Sequence, residues 1–174
     1  MIQDYVVIGA VAATAYMEAI LTENIDVIVL VDSDEEYLRS FRRVGELPEG
    51  QEGMHHIMGG VPVQMFPSNT KPHFKDTIDN ALLVRFGRLR SKFASPEHLI
   101  LLYLEPVYVE PFREKDRLRI MSLDPNADIS KVRSLLERFD DEKGTLAGRL
   151  QELCGNSLPG EGEVAPATGK NEPD

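Results

Sequence analysis

The chain has 174 residues, 42% of them hydrophobic, so it can bury one core but is too short for two ordinary domains. Its 29 acidic and 19 basic residues give a formal net charge of −10, which argues against a broad phosphate-binding face. The single cysteine, Cys154, excludes an internal disulfide and a cysteine-based metal cluster. We therefore expect a protein of the reducing cytoplasm, with no membrane segment, no targeting leader and little nucleic-acid binding.

The first predicted unit is a strand, a turn and a helix. Tyr5 to Ile8 is an apolar, β-branched run that ends at Gly9, and Ala10 to Leu21 has the small-residue composition of a helix packed under a sheet. The run from Ile25 to Val31 predicts a central strand covered on both faces, interrupted only by Asp26. An acid inside such a strand marks a candidate functional position.

Further elements follow from caps and periodicity. Asp32 to Asp34 predicts the start of a helix that ends at Gly45. The glycine-rich stretch Pro48 to Gly60 predicts a loop or a hairpin leading into a third strand, Val61 to Phe66. The later predictions are a helix over Phe74 to Leu83, strands over Leu82 to Phe86 and Leu89 to Phe93, and helices over 96–104, 113–123, 129–139 and 146–153.

This order predicts an α/β or α+β fold: a small mixed sheet of four or five strands with flanking helices and a C-terminal helical extension. We divide the chain into a main domain over 1–123, the extension over 124–154 and a disordered tail over 155–174. The tail is predicted because glycine, proline and glutamate become frequent there while apolar residues become rare.

Four short motifs, taken in order, resemble the nucleotidyltransferase superfamily, and most closely its AbiEii/AbiGii toxin-like group. They are Ile8-Gly9-Ala10, Thr22-Glu23-Asn24-Ile25-Asp26, Val63-Gln64-Met65 and Ser95-Pro96-Glu97-His98-Leu99. The resemblance covers roughly Asp4 to Leu123. It implies a nucleotidyltransferase-like fold, a nucleoside triphosphate as ligand and Mg²⁺ held by carboxylates, since hard cations prefer oxygen ligands.

The resemblance also shows where this chain departs from the family pattern. Ala10 stands for the second glycine of the turn, Asn24 for the first acid, Gln64 for the third acid and Tyr103 for a helical lysine, so Asp26 alone remains of the metal-binding acids. The later Arg-x-Lys-Asp segment is kept as Arg113, Lys115 and Asp116, although Arg119 stands where the family often has another acid. We therefore expect Asp26 to be the catalytic and metal residue. The other expected ligand contacts are Gly9, Ala10, Thr22, Asn24, Gln64, Arg113, Lys115 and Asp116.

Three functions remain open from the sequence. The first is a nucleotidyltransferase-like protein with weak or no activity that binds a nucleotide or a protein partner. The second is an active, toxin-like enzyme that modifies RNA or protein, with Asp26 assisted by Asp32 or Asp34. The third is an interaction or regulatory module without a ligand.

Ordinary interpretations also remain open for the other polar residues. Asp26 could be a solvent-facing carboxylate or pair with Arg113 or Lys115. We expect the His55-His56 pair and His98 to be exposed surface residues rather than ligands, and Arg85, Arg88, Arg90 and Lys92 to form a solvated basic face.

Overall fold

A computed structural model describes residues 4–44, 55–86, 88–105 and 114–154. Arg113 and the predicted tail from residue 155 lie outside the described residues. The strands are β1 (Tyr5–Ile8), β2 (Ile25–Val29), β3 (His55–Met58), β4 (Val61–Pro67), β5 (Leu82–Phe86) and β6 (Leu89–Phe93). The helices are α1 (Gly9–Ala13), α2 (Asp34–Val44), α3 (Pro72–Asp79), α4 (Pro96–Leu104), α5 (Glu114–Leu123), α6 (Ile129–Phe139) and α7 (Thr145–Cys154).

The six strands form one mixed sheet in the order β3-β4-β2-β1-β6-β5. Strand β1 runs antiparallel to β2 and parallel to β6, and β2 runs parallel to β4. The mixed sheet with flanking helices confirms the predicted fold class, with six strands rather than four or five. The additional strand is β3, which forms a hairpin with β4 through Gly59 and Gly60, both at positive φ.

Helix α1 is much shorter than the predicted Ala10 to Leu21. It ends at Ala13, where the Thr14 hydroxyl donates to the Val11 carbonyl over 2.7 Å. The chain beyond it is held instead by a distant contact, because the Asn126 amide donates to the Tyr16 carbonyl over 2.7 Å. Side-chain bonds of this kind compete with helical backbone bonds, which the composition alone could not indicate.

Helix α4 is the buried centre of the helical layer. Its start is capped as predicted, because the Ser95 hydroxyl accepts from the His98 N–H, and Pro96 fills the first helical position. Leu99, Leu101 and Leu104 are fully buried, and burying each such side chain contributes about 1.5–3 kcal/mol. The helix packs against α1, α5, α6 and α7, so its two ends are fixed relative to the sheet.

The C-terminal helices share the core of the main domain. Helix α6 begins after its Asp128 cap as predicted, and it contributes Val132, Leu135 and Leu136 to the same buried cluster as the sheet residues. The predicted boundary between 123 and 124 stays a prediction. Within the described ranges, every helix is too short or too polar to cross a membrane.

Candidate functional site

The predicted turn glycine lies directly against the predicted catalytic acid. Gly9 has φ +65°, and Ile8 just before it pairs with Asp26 across β1 and β2. A Cβ on Gly9 would lie 3.1 Å from Asp26 Cγ and would overlap the Asp26 carboxylate. The position therefore requires glycine both for its backbone conformation and for the close approach of Asp26.

Thr22, Asn24 and Asp26 form a short chain of side-chain hydrogen bonds. The Thr22 hydroxyl donates to Asn24 Oδ1 over 3.2 Å, and Asn24 Nδ2 donates to Asp26 Oδ1 over 2.8 Å. Because a carboxylate only accepts, Asp26 fixes the orientation of the Asn24 amide, and the amide oxygen then faces the Thr22 hydroxyl. The amide N–H thus points at the carboxylate.

Gln64 lies beside Asp26 in the sheet. The two residues are register partners in the parallel pair of β2 and β4, so their side chains belong to the same sheet face. Gln64 stands where the family pattern has its third acid. That acid would therefore have lain next to Asp26. Ala10, the next predicted contact, is buried in the first turn of α1.

A second group of charges comes from α4 and α5. Arg119 contacts the Asp116 carboxylate over 3.3 Å and stacks over the Tyr103 ring at 5.3 Å from its centroid. Asp116 is 4% exposed and Tyr103 is 8% exposed, and the Tyr103 hydroxyl has no hydrogen-bond partner among the described residues. Lys115, one residue earlier, is exposed.

Electrostatics link this second group to Asp26. Burial raises the pKa of the Tyr103 hydroxyl; Arg119 opposes the rise, whereas Asp116 and Asp26 add to it. The two carboxylates therefore act on the same phenol, which stays neutral and able to donate a hydrogen bond. We call Asp26, its neighbours Asn24 and Gln64, and the group of Asp116, Tyr103 and Arg119 the Asp26 site.

Asp32 and Asp34 do not belong to this neighbourhood. Asp26 is the second residue of β2, and Asp32 follows the opposite end of that strand. Six residues of extended chain span about 20 Å, much too far for two carboxylates to share a metal ion. Asp34 instead accepts a hydrogen bond from Asn69 Nδ2 over 2.8 Å.

The Asp26 site does not fit a divalent cation well. One Asp26 oxygen already accepts the Asn24 amide, whose N–H would face an incoming ion, and Asp116 is paired with Arg119. Among the described residues, no three histidine, cysteine, aspartate or glutamate side chains are grouped so as to hold a metal. The side chains of this site offer amide, hydroxyl and carboxylate groups for hydrogen bonding.

Two histidine predictions were wrong. His56 is 2% exposed and His98 is 5% exposed, so neither is a surface residue; the side chain of His55 lies outside the described part of the structure. The expected basic face is partly confirmed, because Arg85, Arg88 and Arg90 are exposed, while Lys92 forms an ion pair with Asp4 over 2.7 Å.

The sequence also missed a buried polar cluster at the start of α4. His98 Nε2 lies 2.9 Å from Asp76 Oδ2, and Arg138 donates to Asp76 Oδ1 over 2.7 Å. These three residues come from α4, α3 and α6, so no local motif joins them. Only the polar Ser95-Pro96-Glu97-His98 start of an otherwise apolar helix could have indicated a cluster there.

Comparisons with known proteins bear on the fold. No protein-family model and no curated protein matches the chain. A solved structure that is similar is an antigenic nucleotidyltransferase-like protein from Paracoccidioides brasiliensis, with 18% identity and a TM-score of 0.56. The match covers 87% of this chain and 79% of that chain. The chain therefore has a nucleotidyltransferase-like fold, as expected from the sequence.

Proposed function

We propose that this protein is a catalytically weak or inactive nucleotidyltransferase-like protein whose Asp26 site binds a nucleotide. The observation that carries the proposal is the hydrogen bond from Asn24 Nδ2 to Asp26 Oδ1. Metal-dependent transfer needs carboxylate oxygens turned toward a cation, whereas here an amide N–H satisfies one of them. The turn glycine, Gly9, and the acid, Asp26, are both present, and Asp26 is arranged as a hydrogen-bond acceptor.

The Asp26 site offers groups that suit a nucleotide without metal. Asp26 and Gln64 can accept hydrogen bonds from sugar or base groups, and the neutral Tyr103 hydroxyl can donate one. Arg119 supplies a positive charge over the Tyr103 ring, 5.3 Å from its centroid. The Tyr103 hydroxyl is buried, so a ligand oxygen reaches it only by displacing the atoms that cover it, and a hydrogen bond made there contributes about 0.5–1.5 kcal/mol.

Finer parts of the proposal come from the sequence resemblance. We place the chain in the AbiEii/AbiGii toxin-like group, acting in the cytoplasm, with a protein partner as the alternative occupant of the Asp26 site. The residues over 124–154 would form an extension of a main domain over 1–123. An active enzyme using Asp26 is the competing function, with Asp116 as the nearby second acid.

The experiment is a thermal shift with each nucleoside triphosphate, with and without Mg²⁺ or Mn²⁺, on the wild-type chain and on Asp26→Ala. We expect a nucleotide-dependent rise in Tm that persists in EDTA and is lost in Asp26→Ala, because ligands of the native state stabilise it by mass action. A shift that requires metal, together with transfer of labelled nucleotide to an acceptor, would instead establish an active enzyme. Absence of any shift would favour a protein partner.

A further inference from the structure

A cleft of about 600 Å³ lies between α3, the start of α4 and α6. This volume is in the range of small-molecule sites. Its polar lining includes Asp76, Ser95, His98, Lys131 and Arg138. The cleft is at the start of α4, whereas Tyr103 of the Asp26 site is near the end of that helix.

Three of these side chains form a continuous hydrogen-bonded chain. Ser95 Oγ lies 2.9 Å from His98 Nδ1, and His98 Nε2 lies 2.9 Å from Asp76 Oδ2. Ser95 is 7% exposed and His98 is 5% exposed, so both are held among packed neighbours. A hydroxyl bonded to an imidazole that is oriented by a carboxylate is the arrangement that activates a serine nucleophile.

The position of Asp76 determines the imidazole tautomer. A carboxylate only accepts, so the proton of a neutral His98 lies on Nε2 and leaves the Nδ1 lone pair facing Ser95. Arg138 contacts the other oxygen of Asp76 over 2.7 Å and fixes the carboxylate. Burial alone would raise the pKa of Asp76, but hydrogen bonds from His98 and Arg138 outweigh it and keep the pKa low.

Ser95 also caps α4, and that role leaves its proton available. The His98 N–H donates to Ser95 Oγ over 3.4 Å, which uses an oxygen lone pair and not the hydroxyl hydrogen. The competing acceptor for this hydrogen is the Glu97 carboxylate. Burial would raise the pKa of Glu97, but hydrogen bonds from the Asp128 N–H and from Ser95 lower it. The hydroxyl hydrogen is thus shared between Glu97 and His98.

We propose that Ser95 and His98 are the catalytic residues of a second site, which hydrolyses small esters, with Asp76 as the positioning residue. Ser95 Oγ forms a bond to the ester carbonyl carbon while its proton passes to His98 Nδ1. The bond to the leaving alcohol then breaks, and that oxygen takes the proton from His98. Water attacks the acyl-Ser95 ester in the same way, which releases the acid and restores the serine.

The cleft selects the class of ester. Its volume accommodates a short acyl group with a small alcohol. The Asp76 and Glu97 carboxylates balance the charges of Lys131 and Arg138 in the lining, so a neutral ester fits the cleft. Lys131, on the α6 side of the cleft, can stabilise negative charge that develops on the carbonyl oxygen. This activity is independent of the proposed nucleotide binding, because no residue of the Asp26 site takes part.

The test uses the wild-type chain with a fluorophosphonate probe, followed by peptide mapping, and with a chromogenic ester of a short carboxylic acid as substrate. We expect one adduct per chain, on Ser95, and ester hydrolysis that the adduct abolishes. Ser95→Gly should lower the rate roughly 10³-fold. Glycine is a tolerated cap residue, so the variant should keep its fold, which its Tm checks. Ser122→Ala, on the exposed side of α5, should change nothing.

The positioning role of Asp76 is tested by separate variants. Asp76→Asn should lower kcat roughly 10²-fold or more with little change in KM, because the amide can set the wrong imidazole tautomer. Asp76→Glu should recover part of kcat. An adduct on another residue, no adduct at all, or unchanged hydrolysis in Ser95→Gly would overturn the proposal. If Ser95→Gly does not fold, the adduct map on the wild-type chain decides by itself.

Discussion

Asn24 donates a hydrogen bond from its side-chain amide to the Asp26 carboxylate over 2.8 Å. Asn24 lies in the bend just before β2 and Asp26 is the second residue of that strand, so the two side chains meet within three residues of chain. If both were acids, the same geometry would place two like charges in contact unless a cation lay between them. The amide therefore substitutes for a cation as the partner of Asp26.

Asn24→Asp tests this relationship by restoring the second acid. Without metal, the variant should have a lower Tm than the wild type because two carboxylates repel each other. With Mg²⁺ or Mn²⁺ at about ten times its Kd, the variant should gain about 1.4 kcal/mol, which raises Tm by a few degrees. The measurement is a thermal melt across a metal titration, and the wild-type chain should respond little.

Asn69→Asp is the matched control. Asn69 Nδ2 also donates to an aspartate, Asp34, over 2.8 Å, but this pair is exposed. An acid pair created there should bind metal weakly, since water and salt screen the charges. Equal metal responses in the two variants would show that the position of Asp26 adds nothing to cation binding.

Gly9→Ala should lower the free energy of unfolding more than an alanine at another glycine of positive φ does. Gly9 and Gly60 have φ values of +65° and +83°, so alanine is strained at both. At Gly60 no atom lies within 4 Å of the added Cβ, whereas at Gly9 it overlaps the Asp26 carboxylate. We expect a loss of about 1–2 kcal/mol for Gly60→Ala and at least about 1 kcal/mol more for Gly9→Ala.

Urea denaturation of both variants measures the difference. In an Asp26→Ala background, Gly9→Ala should lose about as much unfolding free energy as Gly60→Ala does, because the carboxylate that the added Cβ overlaps is then gone. Equal losses in the two single variants would mean that Asp26 moves aside freely. In that case the close approach of Gly9 and Asp26 is not a constraint on the site.

The local patterns predicted much of this fold, and the exceptions have physical causes. The Asp128 cap and the apolar periodicity predicted both ends of α6 correctly, because both signals come from residues in or next to the helix. Helix α1 was predicted too long, and the chain just beyond its end is bonded to Asn126, 110 residues away, which no local pattern indicates. In the Asp26 site, Asp26, Gln64 and Asp116 were expected from the resemblance to a family pattern, but the contact of Arg119 with Tyr103 depends on how α5 packs on α4.

The buried tyrosines give a paired test of hydrogen-bond satisfaction. The Tyr37 hydroxyl donates to the Met65 carbonyl over 2.9 Å, whereas the buried Tyr103 hydroxyl has no hydrogen-bond partner in the described structure. Tyr37→Phe should therefore lose about 1 kcal/mol of unfolding free energy, while Tyr103→Phe should be neutral or slightly stabilising. Chemical denaturation of both variants measures this, and a loss in Tyr103→Phe equal to that in Tyr37→Phe would contradict it.

Tyr103→Phe also reports on the ligand. If a nucleotide accepts a hydrogen bond from this phenol, its thermal shift should be smaller in Tyr103→Phe than in the wild type, although the free proteins are equally stable. Tyr37→Phe is the control here, because Tyr37 bonds to the sheet and lies outside the Asp26 site. An undiminished shift in Tyr103→Phe would place the ligand away from the phenol.

Acid should weaken the contact between α3 and the end of α4. Glu105 lies 2.6 Å from Lys71 Nζ and 3.3 Å from His73 Nε2. Burial would raise the pKa of Glu105, but the hydrogen bonds and charges of His73 and Lys71 lower it below its usual value. A lowered folded-state pKa gives stability that is present above the unfolded pKa of about 4.3 and is lost as pH falls through the folded pKa.

Glu105→Gln should therefore be less stable than the wild type near neutral pH by roughly 1 kcal/mol, and the difference should shrink below about pH 4. Urea midpoints measured from about pH 7 to about pH 3 test this, with Glu137→Gln on the exposed face of α6 as the control. A constant difference across that range would mean that Glu105 contributes through packing rather than through its charge. Convergence of the two curves at low pH would identify the ionised carboxylate as the stabilising group. Protonation would then remove the negative charge of Glu105 in the wild type, and the variant lacks that charge at every pH.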